Sequence, residues 1–215
     1  MSGFWSRLDA LLSRSIAPTT RAVLVAAIVP LLLAFAFPLW RIHMRAPQYP
    51  EGLDLSIYTY TVEGGRQNAD LREINTLNHY IGMKTIDRAE LSDLDWIPFA
   101  LGALIVLTLR VAAIGDVRAL VDITVMALYF CLFSAGRFVY KLYAYGHNLD
   151  PRAPVTVEPF TPPILGTQAV ANFTVTSLPG LATLWIGLFV LVLLALNLQQ
   201  LGLPLLRGAP ERTRT

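Results

Sequence analysis

The stretch from Trp96 to Tyr140 constrains this chain most. It holds two apolar runs, Trp96 to Ile114 and about Leu120 to Tyr140, joined by Gly115-Asp116-Val117-Arg118. Each run approaches the ~20 residues a helix needs to cross a bilayer. So short a link cannot hold a domain, so the runs must lie antiparallel with their far ends opening on one side. The two long polar stretches, 41–95 and 141–180, hang from that side and are expected to meet there.

Composition agrees with a membrane protein. The chain has 215 residues, 54% of them hydrophobic and 15% charged, with a mean hydropathy of +0.52. That is too apolar for an ordinary soluble domain. A net charge of +2 leaves no basic footprint for nucleic acid. The lone Cys131 excludes an internal disulfide, a CxxC redox pair and a cysteine-rich metal site.

Taken in order, residues 1–20 carry Phe4, Trp5, Leu8, Leu11, Leu12 and Ile16 at helical spacing, with Arg7, Asp9 and Arg14 between them. This predicts an amphipathic helix lying in the membrane interface. Residues 21–40 read as a first transmembrane helix kinked near Pro30. Ala34-Phe35-Ala36 resembles a signal-peptide cleavage site, but the apolar run is too long for one and Pro38 follows closely, so a retained helix is expected.

In the stretch 41–95, Leu53, Leu55, Ile57 and Tyr58 to Val62 predict strand, ended by Gly64-Gly65. Leu71 to Met83 predicts a short helix weakened by Asn75, Asn78 and Gly82. The hairpin then occupies 96–140, with Pro98 in the first helical turn. Residues 141–180 hold Pro151, Pro154, Pro159, Pro162 and Pro163, which forbid a long helix and favour an extended loop laid against something. Ala169 to Thr176 predicts a strand. A fourth span follows at 181–202, then a polar, basic tail at 203–215. The expected fold is an α-helical membrane protein with four transmembrane helices and a small extracytoplasmic α+β domain built from two loops.

Cations near the span ends are denser on one side: Arg7, Arg14, Arg21, Arg110, Arg118, Arg207, Arg212 and Arg214. By the positive-inside rule that side is cytoplasmic, giving both termini inside a cell inner membrane.

On this topology the three histidines, His43, His79 and His147, all lie outside. Met44 adjoins His43, and Met83 follows His79 by four residues, on one face if the segment is helical. Imidazole with thioether and no thiolate suits copper better than magnesium or calcium. The expected metal ligands are therefore His79, Met83 and His147, with His43 or Met44. The plainer reading makes each histidine a hydrogen-bonding surface or capping residue. Asp122, Arg137 and Arg110 fall inside or beside spans, close enough to the ends to reach water. No nucleophile with a paired base is visible, so no enzyme activity is expected. Asn172-Phe173-Thr174 matches a glycosylation sequon, a frequent chance pattern. Trp40, Trp96, Trp185, Tyr140, Tyr143 and Tyr145 read as an aromatic belt.

The segments Glu73-Ile-Asn-Thr-Leu-Asn-His-Tyr-Ile-Gly-Met-Lys84 and Tyr145-Gly-His-Asn-Leu-Asp-Pro151, with Pro159-Phe-Thr-Pro-Pro163, carry a resemblance. Over about 41–180 the chain resembles a poorly characterised bacterial family of small multi-span membrane proteins. That family is associated with copper and nitrous oxide reductase accessory systems. The resemblance implies an envelope accessory role, with the bilayer and an extracytoplasmic or membrane protein as partners. Copper handling during maturation of an exported metalloenzyme is one expectation; a non-catalytic subunit that scaffolds a membrane complex through its proline-rich loop and binds no metal is the other.

Overall fold

The computed structural model describes residues 2–170 and 172–206, so the expected basic tail from Arg207 lies outside the described residues. Among the described residues three helices are long and apolar enough to cross a membrane: α5 (Asp93–Ile114), α6 (Val117–His147) and α7 (Leu181–Leu206, of which Leu181–Leu201 forms the candidate span). Before them come α1 (Ser2–Leu12), α2 (Pro18–Ala26) and α3 (Ile28–Leu33). The first apolar run thus makes a shorter helical pair, Pro18–Leu33, rather than the single helix expected over 21–40. Its break at Ala27 lies next to Ala26, the residue whose carbonyl faces Pro30, where proline supplies no donor and its ring intrudes.

The hairpin link is built from capping chemistry. Gly115 closes α5 in the left-handed region (φ 72°), its N–H donating to Val111 O at 2.8 Å. Asp116 opens α6, its side chain accepting from Ala119 N–H at 2.7 Å. The N-terminal segment docks on this link. Ile16 N–H donates to Gly115 O at 2.8 Å, Val117 N–H donates to Arg14 O at 3.0 Å, and Arg118 pairs with Asp9 at 2.5 Å. α1 is therefore fixed to the hairpin end.

At the opposite end stands a five-stranded antiparallel sheet in the order β3-β2-β1-β5-β4. Its strands are β1 (Trp40–Ala46), β2 (Tyr49–Ile57), β3 (Val62–Gly64), β4 (Gly166–Val170) and β5 (Phe173–Pro179). The β1–β5 pairing, with Trp40 opposite Pro179 and Arg45 opposite Thr174, joins the two polar stretches into one sheet.

Four expectations need correction here. Trp40 opens a strand instead of ending a span. Its indole N–H donates to Ser177 Oγ at 2.7 Å, and its ring lies 4.7 Å from Phe138. The strand expected over 169–176 is a hairpin, with β4 and β5 on either side of its turn. Helix α6 runs to His147, past Tyr140, because Tyr145 tucks inward and its hydroxyl donates to Thr85 O at 3.0 Å. Helix α5 likewise starts three residues early, at Asp93, which puts Pro98 beyond the first turn.

One face of the sheet is closed. Leu53, Leu55 and Val62, with Ile42 and Met44 beside them, pack on Leu71, Ile74 and Leu77 of α4 (Gly65–Tyr80). The start of α4 is unusual: Arg66, Gln67 and Asn68 all have positive φ. Two side chains hold that turn. Asn68 Oδ1 accepts from Gly64 N–H at 2.7 Å, and Arg66 Nε–H donates to Asp70. Asp70, only 2% exposed, also accepts Asp54 N–H at 2.9 Å, which pins α4 to β2.

Candidate functional site

Helix α4 ends at Tyr80, and Gly82 (φ 77°) follows in the left-handed conformation. Gly82 N–H donates to His79 O at 3.2 Å and Met83 N–H to Asn78 O at 2.8 Å, the paired bonds of a Schellman stop. Met83 is therefore past the helix, and the i,i+4 face expected for His79 and Met83 does not form. The two nonetheless line one open cavity of about 540 Å³, together with Lys84, Asn148, Asp150 and Arg152.

Asparagines read as helix-weakening build this place. Asn75 bonds Ile86 twice, Nδ2 donating to its carbonyl at 3.1 Å and Oδ1 accepting its N–H at 2.7 Å. Asn78 Nδ2 donates to Lys84 O at 3.4 Å. Together they fold 83–86 back along the helix. The proline-rich stretch closes the other wall: Asp150 N–H donates to Gly82 O at 2.8 Å and Val155 N–H to Tyr80 O at 3.0 Å.

The Asp150 carboxyl lies below its usual range because Arg152 donates to it, first from the backbone N–H and then from the guanidinium; His79 adds a weaker pull. Among the described residues the His79 side chain makes no hydrogen bond. The cavity thus offers an imidazole, a thioether and a carboxylate to a cation. Among the described residues no group of three or more His, Cys, Asp or Glu is arranged to hold a metal.

The remaining expected ligands stand elsewhere. His147 ends α6, stacked on Tyr143 at 3.8 Å with Nδ1 3.0 Å from Tyr143 O. Met44 packs into the core beneath the sheet. His43, its neighbour in β1, points to the other face, because successive side chains of a strand alternate. Both His43 nitrogens are engaged: Nδ1 lies 2.7 Å from Asp54 Oδ1, and Nε2 accepts from Arg45 Nε–H at 3.1 Å. That fixes the tautomer with its proton on Nδ1 and leaves no lone pair free for a metal.

The open face carries one rung that sequence reasoning missed. The register aligns Thr167, Thr176, His43 and Asp54 across four strands. Thr167 and Thr176 hydroxyls lie 3.0 Å apart. Hydroxyl, imidazole and carboxylate follow one another as in a nucleophile triad, but Arg45 holds the Nε2 a base would use. The Asp54 partner is invisible in sequence until the β1–β2 register is known.

At the helix ends, Arg137 bonds Asp93 twice, at 2.9 and 3.2 Å, and Trp96 Nε1–H donates to the same carboxylate at 3.0 Å. Arg110 and Asp122 are exposed on the outer surface of the bundle.

No protein-family model, no curated protein and no solved structure matches this chain. The resemblance over 41–180 stands on its two segments alone.

Proposed function

We propose that this chain is a multi-pass inner-membrane accessory protein whose two loops form an extracytoplasmic platform, and that it serves as a non-catalytic scaffold subunit of a membrane complex. The observation that carries this reading is the sheet itself. One face is closed by α4, while the other presents Arg41, Arg45, Thr174 and Thr176 on a rigid base. The proline-rich stretch, the scaffold surface expected from sequence, is committed to its own chain: Phe160 N–H donates to Gly146 O at 3.1 Å, and Asp150 and Val155 bond Gly82 and Tyr80. The open sheet face takes its place as the docking surface for a protein partner.

Two contacts support counting 18–33 as a fourth span. Its approach is tied to Gly115 through Ile16, and its exit to α7 through Ala182 N–H and Pro38 O at 3.1 Å. It therefore runs between the same two ends as α5. Pro18–Leu33 rises about 24 Å, against about 33 Å for the whole of α5. Arginine density supports the N-in, C-in orientation. Cysteines at Glu63 and Thr167 in a Cys131→Ser background should label in intact cells; labelling of either only after permeabilisation would reverse it.

Copper handling is the second reading, favoured by the shared cavity of His79 and Met83 beside Asp150. Cu(I) titration against a competing chelator separates the two. Scaffolding expects no stoichiometric copper, and a complex in native gels that survives chelation and is lost in Arg45→Glu. Stoichiometric copper, weakened about tenfold (about 1.4 kcal/mol) in both His79→Ala and Met83→Leu, would replace scaffolding with copper handling.

A further inference from the structure

The sheet does not float above the bundle. β1 leaves it at Trp40 and β5 returns to it at Pro179, and these two residues face each other. Just below them, Gly180 N–H donates to Leu39 O at 2.8 Å, and α7 begins at Leu181. The rung nearest the bundle on the open face is therefore Arg41 with Leu178. Gly166 faces Ser177, so Leu165, one residue earlier, comes level with Leu178.

This rim is unlike the rest of the open face. Leu165 is 66% exposed, Leu178 50% and Leu181 41%. Burying such a side chain is worth ~1.5–3 kcal/mol, so three leaving water together gain several times thermal energy. Arg41 is exposed, and among the described residues it makes no ion pair or side-chain hydrogen bond. The acid on its rung, Glu63, stands two strands away across Ser56, about 10 Å. An unengaged guanidinium on the same rung as Leu178 and Leu165, carried on a stem long enough to reach past them toward water, beside a membrane-length helix, matches the layering of a phospholipid: phosphate outside, acyl chain inside.

We propose that this rim is a phospholipid seat, with Leu165, Leu178 and Leu181 entering the acyl boundary and Arg41 holding a headgroup phosphate. The seat rests on the membrane reading of the bundle. It fixes the sheet upright at the bilayer surface, with Thr174 about 14 Å above Leu178.

The test uses the full chain in lipid nanodiscs, one protein per disc, in a Cys131→Ser background. Single cysteines at Leu165, Leu178, Thr174 and Val106 carry an environment-sensitive fluorophore, and acyl-brominated lipid is the quencher. Val106 is an exposed mid-helix position of α5. The seat expects quenching at Leu165 and Leu178, as at Val106, and none at Thr174. Quenching at Val106 with Leu165 and Leu178 as silent as Thr174 overturns the seat while leaving the membrane reading intact. Silence at Val106 as well overturns both. For Arg41, the melting temperature should rise when phosphatidylcholine discs are exchanged for phosphatidylglycerol discs. That rise should be lost in Arg41→Gln and retained in Arg41→Lys; an undiminished rise in Arg41→Gln overturns the phosphate assignment.

Discussion

Replacing Gly82 with alanine tests whether the two loops are joined where α4 stops. Gly82 has φ 77°, so any L side chain there carries the left-handed penalty, about 1–2 kcal/mol. The new Cβ would also stand 2.7 and 2.9 Å from the Asp150 backbone O and N and 3.0 Å from Ala153 Cβ. Those atoms belong to backbone or to a short side chain, so the crossing segment must lift. Lifting it weakens the Asp150 N–H to Gly82 O bond, about 1 kcal/mol. Alanine's stiffer unfolded chain returns about 0.5 kcal/mol. The net cost is about 1.5–2.5 kcal/mol, concentrated where the proline-rich stretch crosses α4. Hydrogen exchange reads this as local opening: amides across 148–155 should exchange about 10- to 60-fold faster. Gly136→Ala is the matched control, since a Cβ there meets nothing within 4 Å. Unchanged exchange across 148–155 in Gly82→Ala would refute the close crossing and the cavity wall it makes for His79 and Met83.

Other expectations follow from the same contacts. Gly146→Ala would drive a Cβ into the Phe160 carbonyl, so limited proteolysis should cut faster within 156–165. Arg137→Gln should lower the melting temperature in detergent by removing charged bonds to a partly buried Asp93; Arg137→Lys should recover part of the loss. The Asp87 carboxyl is held below its usual range by Glu90 N–H first and the Thr85 hydroxyl next. Its stabilisation is therefore present above the unfolded-state value and disappears as pH falls through the lowered folded value. Exchange at Glu90 should accelerate only at that acid extreme, and Asp87→Asn should flatten the dependence.

Lengths and breaks were legible in the sequence; register and packing were not. The Trp96–Tyr140 hairpin follows from two span-length apolar runs and a short link, and Pro30 marks the break in the first apolar run within one turn. The Trp40–Ala46 strand was hidden because it abuts an apolar run without a turn residue between them. Its alternation, Trp40-Ile42-Met44 inward and Arg41-His43-Arg45 outward, acquires meaning only once β5 arrives from beyond residue 170. The last turns of α6 look like loop because Lys141, Tyr143 and Tyr145 are polar. What keeps them helical is distant in sequence: Thr85 O for Tyr145 and Glu90 O for Lys141.

The same distance effect governs the histidines. A histidine, a methionine and a topology are enough to place ligands on one side, but not to tell whether their lone pairs are free. His43 lies on the expected end of the bundle, yet Asp54 and Arg45 consume both ring nitrogens. His147 is turned onto Tyr143, and Met44 is core. Of five expected ligands, only His79 and Met83 share a cavity, and Gly82 between them does what helix spacing does not. The asparagines point the same way. Asn75, Asn78 and Asn68 each satisfy backbone donors or acceptors on a neighbouring segment, converting residues that weaken helices into staples. A chain that uses so many polar side chains to fasten its loops to its helix ends builds a fixed surface, and a fixed surface limits the entropy a partner must remove on binding. Under the scaffold proposal that property suits a docking platform at the open sheet face, whose height and tilt the proposed rim at Arg41 and Leu178 would set.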